Sequence, residues 1–290
     1  HLGGSIKTDH DTAGNNIDID GPVVLTANTT LDTTENNGTI DFSSTIESAS
    51  ATNHTLTLKS GAGDIAVNGV IGAISGNTDI GALKINDGLS GTGAITLSGI
   101  GVSGRDGVTG TVDIGHTSTS AVNLKGSLYN INGATTITTT NGANKVDIQA
   151  AQTIETSNDD LHFVGGGVKL SGNLTIDTGS GTGKVEFDGA IEADDATSKD
   201  KILAITSGTG DVTFTGAIGE TNILGGLTVN STGSSDGDIK FVSNIGDSNN
   251  VGISGTTSIG NTSSALVRLQ GSIYKFGGNK TTITGLSSDK

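Results

Sequence analysis

The chain has 290 residues, a net charge of −15, 47 Gly, one Pro, and no Cys, Met or Trp. Collagen is excluded because Gly follows no period of three, and a disulfide scaffold or thiol catalysis is excluded by the missing Cys. The 15 basic residues are scattered through an acidic chain, which argues against nucleic-acid binding, and no run of apolar residues is long enough to span a membrane as a helix.

From the N-terminus, short pieces alternate apolar and polar residues, the period of a half-buried strand. Turns rich in Gly, Asn, Asp, Ser and Thr separate them. GPVVLTANTTLDT begins at Gly21 and GTIDFSSTI at Gly38. LTLKS at Leu56, GDIAVNGVI at Gly63, LKIND at Leu83, GAITLSGI at Gly93 and GSLYNINGATTIT at Gly126 follow. The second half runs through the same types. It has GGVKLSGNLTIDT at Gly166, GKVEFDGAI at Gly183, LAITS at Leu203, GDVTFTGAI at Gly210, LTVNS at Leu227, GDIKFVSNI at Gly237 and GSIYKFGGNKTTIT at Gly271. No window has the helical spacing of apolar residues, so little or no α-helix is expected.

Two periods are nested here. LTLKSGAGDIAVNGVIG from Leu56 aligns with LAITSGTGDVTFTGAIG from Leu203, and the only two tyrosines, Tyr129 and Tyr274, fall at equivalent places. The offset of about 145 residues divides the chain into repeat blocks 1–145 and 146–290. Within each block, Gly-x-(Ile/Val)-x-(Phe/Val/Leu) returns every 25 to 30 residues or so. A strand pair of this size cannot bury its own apolar face. A solenoid repeats in sequence because each coil presents the same face to the next. The chain is therefore predicted to be all-β, a parallel β-helix or solenoid of about 11–12 coils and roughly 55 Å. The alternative is two tandem β-sandwich-like domains. Ile65 and Val67, Ile95 and Leu97, Val185 and Phe187, and Val212 and Phe214 are predicted to point inward, with Asp64 and Ala66 outward.

These residues also carry a likeness. LTLKSGAGDIAVNGVIG, LAITSGTGDVTFTGAIG and the following LGGLTVNSTG resemble the β-strand repeats of large bacterial surface proteins, namely autotransporter passengers, filamentous-haemagglutinin-like adhesins and giant extracellular repeat proteins. The resemblance covers nearly the whole chain. It implies a right-handed parallel β-helix, an extracellular or cell-surface place, and a role in adhesion or surface structure. It carries over no catalytic residue, because the matching positions are core and turn positions. The family's membrane-inserting barrel and secretion signal have no counterpart here. The chain, which opens at His1, is read as a processed or excised piece of a longer secreted precursor.

His1, His10, His54, His116 and His162 show no metal-ligand spacing and read as surface-loop residues. Asp9-His10-Asp11 with Asp18 and Asp20 could gather oxygens around calcium, but they match neither an EF-hand loop nor a calcium-binding nonapeptide. Asp159-Asp160 and Asp194-Asp195 read as solvated loop acids. Outward carboxylates on adjacent coils could reach a glycosidase spacing, yet aromatic platforms for sugars are few. Ser-His-Asp and phosphate-loop motifs are missing. Sequons at Asn28, Asn37, Asn53, Asn173, Asn230, Asn261 and Asn279 are about as many as chance supplies. The Thr-rich pieces at Thr135 and Thr281 recur only once per block, too seldom for an ice-binding face.

The sequence thus predicts no catalytic, cofactor-binding or metal residues and no cofactor, with calcium as the one ion considered. It predicts a non-enzymatic extracellular structural or adhesive rod, joined end to end with copies of itself or set in a longer solenoid. Host or cell-surface glycans are possible partners, and a glycan- or calcium-binding module is the alternative role.

Overall fold

The computed structural model describes residues 1–290 except 9–14, 50–51, 74–78, 90, 141, 143–144, 233–235, 264–265, 279 and 286–290. Among the described residues there is no helix, and 27 strands follow one another along the chain. The chain forms two compact units, His1–Val146 and Asp147–Lys290.

In the first unit, one parallel ladder runs through Ile17–Ile19, Ile40–Phe42, Ile65–Val67, Ile95–Leu97 and Val122–Leu124. A second runs through Val23–Asp32, Thr55–Lys59, Ala82–Ile85, Val112–Gly115 and Thr135–Thr138. A third starts where Val23–Asp32 pairs with Ile46–Ser48 and continues as single bridges through Ile71, Ile100 and Tyr129. A fourth, made of bridges alone, links Ile80, Val108 and Ile131. Each circuit through these ladders is one coil of a β-solenoid. Strands that follow each other in sequence lie on different faces, while strands one coil apart pair in register.

The second unit repeats this plan internally. Its first ladder is Leu161–Val164, Val185–Phe187, Val212–Phe214, Ile239–Phe241 and Val267–Leu269. Its second is Gln152–Glu155, Leu174–Asp177, Ile202–Thr206, Gly226–Val229, Thr257–Ile259 and Thr281–Ile283. Val168–Leu170 pairs with Ile191–Ala193, and bridges carry that ladder through Ile218 and Ile245 to Tyr274. Leu224, Ile253 and Phe276 form the fourth.

The parallel pairing overturns the tandem-sandwich alternative, whose strands would pair antiparallel. The turns number about 10 rather than 11–12. The reason lies in the rungs: Leu31, Leu58, Ile85, Ile114 and Ile137 form one column, with 27, 27, 29 and 23 residues between neighbours. The 29-residue rung passes from Ile100 to Val108 between the third and fourth ladders, whereas the 23-residue rung passes from Tyr129 to Ile131.

Alternation places two apolar columns inside each ladder. Ile65, Val67, Ile95, Leu97, Val185, Phe187, Val212 and Phe214 are all buried, while Asp64 is exposed and Ala66 half-buried. Phe163, Phe187, Phe214 and Phe241 form one column of the second unit, with neighbouring ring centroids 4.9, 5.4 and 4.7 Å apart and nearly parallel planes. In-register parallel strands make that stack unavoidable, because identical positions lie one strand spacing apart.

The glycine that opens three first-ladder rungs in each unit has a separate cause. A Cβ on Gly63 would overlap the carbonyl oxygen of Gly38, and one on Gly93 would overlap that of Gly63. Gly183, Gly210 and Gly237 form the matching column in the second unit, with the same clash at each step. Close backbone approach, rather than an unusual φ, holds these positions to glycine.

Two substitutions test this account by chemical denaturation. Gly210→Ala is expected to destabilise by about 1–3 kcal/mol or more through overpacking, whereas Gly21→Ala, where a Cβ would meet nothing within 4 Å, should be close to neutral. Phe214→Ala should cost about 3–5 kcal/mol, the usual range for emptying a buried aromatic site.

Candidate functional site

Polar side chains on a solenoid either face solvent for some purpose or tie one coil to the next. Most of the chemistry-bearing residues here do the second. At the corner after the second ladder, Asn86 is buried with φ 52°. Its Oδ1 accepts from the Ser60 amide at 2.9 Å and its Nδ2 donates to Ser60 Oγ at 3.2 Å. Ser60 Oγ then donates to the Gly63 carbonyl at 2.5 Å. Asn230, Ser207 and Gly210 repeat the arrangement in the second unit at 2.9, 2.9 and 2.6 Å. Asn tolerates the left-handed region better than other side-chain-bearing residues, and its amide replaces the backbone partners that the corner removes. Burial of Asn230 also leaves no room for a glycan on that sequon. Asn279 lies outside the described residues.

Outward acids do similar work. Asp64 Oδ1 accepts the Ala94 amide at 2.8 Å, Asp160 Oδ1 the Lys184 amide at 2.8 Å, and Asp211 Oδ1 the Asp238 amide at 2.9 Å. Each carboxylate reaches one coil onward. Asp160 is therefore a coil-to-coil splint and not simply a solvated loop acid. Two buried glutamates play a related role at equivalent places. Glu47 Oε1 accepts the Ala73 amide at 2.8 Å, and Glu192 Oε2 the Asn222 amide at 2.6 Å.

The tyrosines match in detail. The Tyr129 hydroxyl accepts from the Gly126 amide at 3.2 Å and donates to the Leu97 carbonyl at 2.8 Å. The Tyr274 hydroxyl accepts from the Gly271 amide at 2.6 Å and donates to the Phe241 carbonyl at 3.5 Å. Burial pushes the Tyr129 phenol well above its usual range.

The histidines are dispersed. His1 is exposed, His54 and His116 are half-buried in separate loops, and His10 lies outside the described residues. His162, by contrast, faces two carboxylates. Its Nε2 lies 3.1 Å from Asp188 Oδ1 and its Nδ1 3.9 Å from Glu186 Oε2. His162 and Glu186 are register partners in adjacent rungs, a juxtaposition that spacing along the chain does not reveal. Asp18 and Asp20 are exposed on the first rung, while Asp9, His10 and Asp11 lie outside the described residues. Among the described residues, no group of three or more His, Asp or Glu is placed to hold a metal ion.

A polar concavity lies on the first ladder of the second unit. Asp211, Thr213, Asp238, Lys240, Arg268 and Gln270 line a shallow cleft of about 140 Å³. Its acids are already engaged: Asp211 holds the Asp238 amide, and Asp238 Oδ2 pairs with Arg268 at 3.0 Å. What it offers a ligand is a row of hydrogen-bonding groups with the Lys240 ammonium among them. The chain matches no protein-family model, no curated protein and no solved structure. No helix among the described residues is long and apolar enough to cross a membrane.

Two acids respond to pH in opposite senses. Burial, and then the neighbouring Asp87, raise the Asp113 carboxyl above its usual value. Its protonated form suits the fold, so its contribution is present at low pH and is lost as pH rises through its raised value. Asp113→Asn should accordingly raise the melting temperature at neutral pH and leave it unchanged near pH 3 or so. Hydrogen bonds from the Ser198 hydroxyl and amide, then from Thr197, hold Asp195 well below the usual carboxylate range. Its contribution is present above about pH 4 and is lost on acidification. Amide exchange at Thr197 and Ser198 should speed up in Asp195→Ala at neutral pH, with the rest of the unit unchanged.

Proposed function

We propose that this protein is a non-enzymatic extracellular rod with a structural or adhesive role, joined end to end with other copies or continued by further coils. The observation that carries this reading is the use of its polar groups. Asp64, Asp160, Asp211, Asn86, Asn230, Glu47 and Glu192 are spent on neighbouring backbone, coil by coil. A fold that invests its carboxylates and amides in this way gains mechanical continuity along the stack. It also leaves an acidic surface on the coils. At −15, self-repulsion keeps such a surface soluble and discourages sideways association.

A second reading, a glycan-binding module, is favoured by the cleft around Lys240 and Arg268. Small polar clefts of this kind suit hydroxyl-rich ligands, although aromatic platforms are scarce on this chain.

Electron microscopy of purified chain and protease shaving of intact source cells test the first reading together. Elongated particles, and release of the chain from unbroken cells, are the expected results. Globular particles, or protection until the cells are lysed, would contradict it. Glycan-array binding abolished by Lys240→Ala and Arg268→Ala would favour the second reading.

A further inference from the structure

The corner that leads from the second ladder to the first is built to one plan in both units. In the first unit, residues 33–39, 60–64 and 87–94 form three successive turns between register-matched strands. In the second unit, residues 178–184, 207–211 and 231–238 do the same. A turn of five residues therefore lies between turns of seven and eight in each unit. The short turn reaches less far outward than its neighbours, which leaves a notch about two strand spacings wide, roughly 10 Å.

In the first unit this notch is an open concavity of about 330 Å³, within the range of small-molecule sites, ~300–1,000 Å³. Gly61 and Ala62 form its floor, Thr34 and Asn37 one wall, and Leu89 and Thr92 the other. Asn37 has φ 55°, and its Oδ1 accepts the Ala62 amide at 2.8 Å. A Cβ on Gly61 would lie 2.5 Å from that Oδ1, so glycine is what lets Asn37 lean over the floor. Asn37 is exposed, and among the described residues its Nδ2 has no partner. The acids beside the notch are engaged. Asp32 Oδ1 accepts the Thr34 amide and hydroxyl at 3.0 and 2.5 Å, Glu35 pairs with Lys7 at 2.7 Å, and Asp87 with Lys84 at 3.4 Å. The lining itself is uncharged, with Leu89 and Ala62 as apolar contacts and an amide and two hydroxyls around them.

The second unit keeps the frame and changes the lining. Ser60, Gly63 and Asn86 recur as Ser207, Gly210 and Asn230 with the same hydrogen bonds, and Gly61 recurs as Gly208. Ala62, Leu89 and Thr92, however, correspond to Thr209, Gly233 and Asp236. There the Thr209 hydroxyl donates to the Gly181 carbonyl at 3.0 Å and the Asp236 amide to the Gly208 carbonyl at 3.1 Å, tying the flanking turns to the floor. Positions that hold the coils together repeat, while these three lining positions do not, so stacking alone does not explain them.

We infer that the notch over Gly61 and Ala62 binds an uncharged pyranose, one neutral sugar residue of a glycan. A pyranose ring has apolar C–H faces, which fit Leu89 and Ala62, and a rim of hydroxyls, which bond to the Asn37 amide and the Thr34 and Thr92 hydroxyls. A sugar carboxylate, sulfate or ammonium would find no counter-charge in this lining and would lose hydration without repayment. The site lies on interior coils of the first unit and is separate from the Lys240 cleft. It does not depend on the rod reading, to whose adhesive role it gives a ligand.

The test uses the 290-residue chain labelled with 15N and titrated with the methyl glycosides of glucose, galactose and mannose. Glucuronic acid and glucosamine serve as charged counterparts. Saturable shifts of the Asn37, Ala62, Leu89 and Thr92 amides with at least one neutral glycoside, and none with the charged sugars, are the expected results. Ala62→Thr with Leu89→Gly gives the notch the lining of the second unit. It should weaken binding about tenfold or more and leave resonances outside the notch in place, because the second unit folds with those residues. Thr92→Asp, a change at an exposed side chain, should weaken binding as well, whereas Lys240→Ala should not. No saturable shift with any of the three neutral glycosides would overturn the inference, as would shifts centred on Lys240. Equal or tighter binding of the charged sugars, or full binding by the substituted forms, would overturn it too. None of these results touches the rod reading, which fails separately if the particles are globular under the microscope.

Discussion

Successive rungs approach so closely at Gly38, Gly63 and Gly93, and again at Gly183, Gly210 and Gly237, that a methyl group would overlap the carbonyl of the rung before. Nearly everything else follows from that spacing. Rungs held one strand separation apart must stack like residues on like, so an inward Phe meets an inward Phe and an outward Asp meets the backbone of the next coil. The core becomes a set of narrow columns rather than a broad interior. Hence Ile, Val, Leu and a few Phe suffice, and Trp and Met are dispensable.

Tight stacking also sets the polar chemistry. Corners interrupt the ladders, and the backbone groups released there need partners that water cannot reach. Asn86 with Ser60, and Asn230 with Ser207, supply those partners from inside the coil. The Ser hydroxyls then return to Gly63 and Gly210, so each corner network locks onto the same close-packed glycine column that sets the spacing. The acidic residues are consistent with this logic. Outward Asp64, Asp160 and Asp211, and buried Glu47 and Glu192, each accept a backbone amide one rung away.

How much of this could be read from the sequence depended on range. Alternation in GDIAVNGVI and GDVTFTGAI exposed the inward pairs Ile65/Val67 and Val212/Phe214, because that information is local. The duplication was legible for the same reason, as Tyr129 and Tyr274 sit in matching phrases. The corner networks were not, since Asn86 and Ser60 are joined only after a full coil has closed. His162 beside Asp188 is a further case: the two meet across adjacent rungs, where spacing along the chain says little. About 25 residues per coil predicts 11–12 coils, but most first-unit rungs take 27 to 29, because the chain also passes through the fourth ladder of Ile80, Val108 and Ile131.

The register of stacked coils can be measured directly, helped by the chain's lack of native Cys. Glu186, Thr213 and Lys240 are outward register partners on three successive rungs. Spin labels placed on Cys substituted at these positions in pairs should report separations of about one strand spacing for 186/213 and 213/240, roughly 5 Å, and about twice that for 186/240. Strong dipolar broadening for both adjacent pairs, and weaker broadening for the outer pair, is the expected pattern. Labels that do not broaden between adjacent rungs, or an outer pair that couples as strongly as the inner ones, would contradict the stacked-coil account.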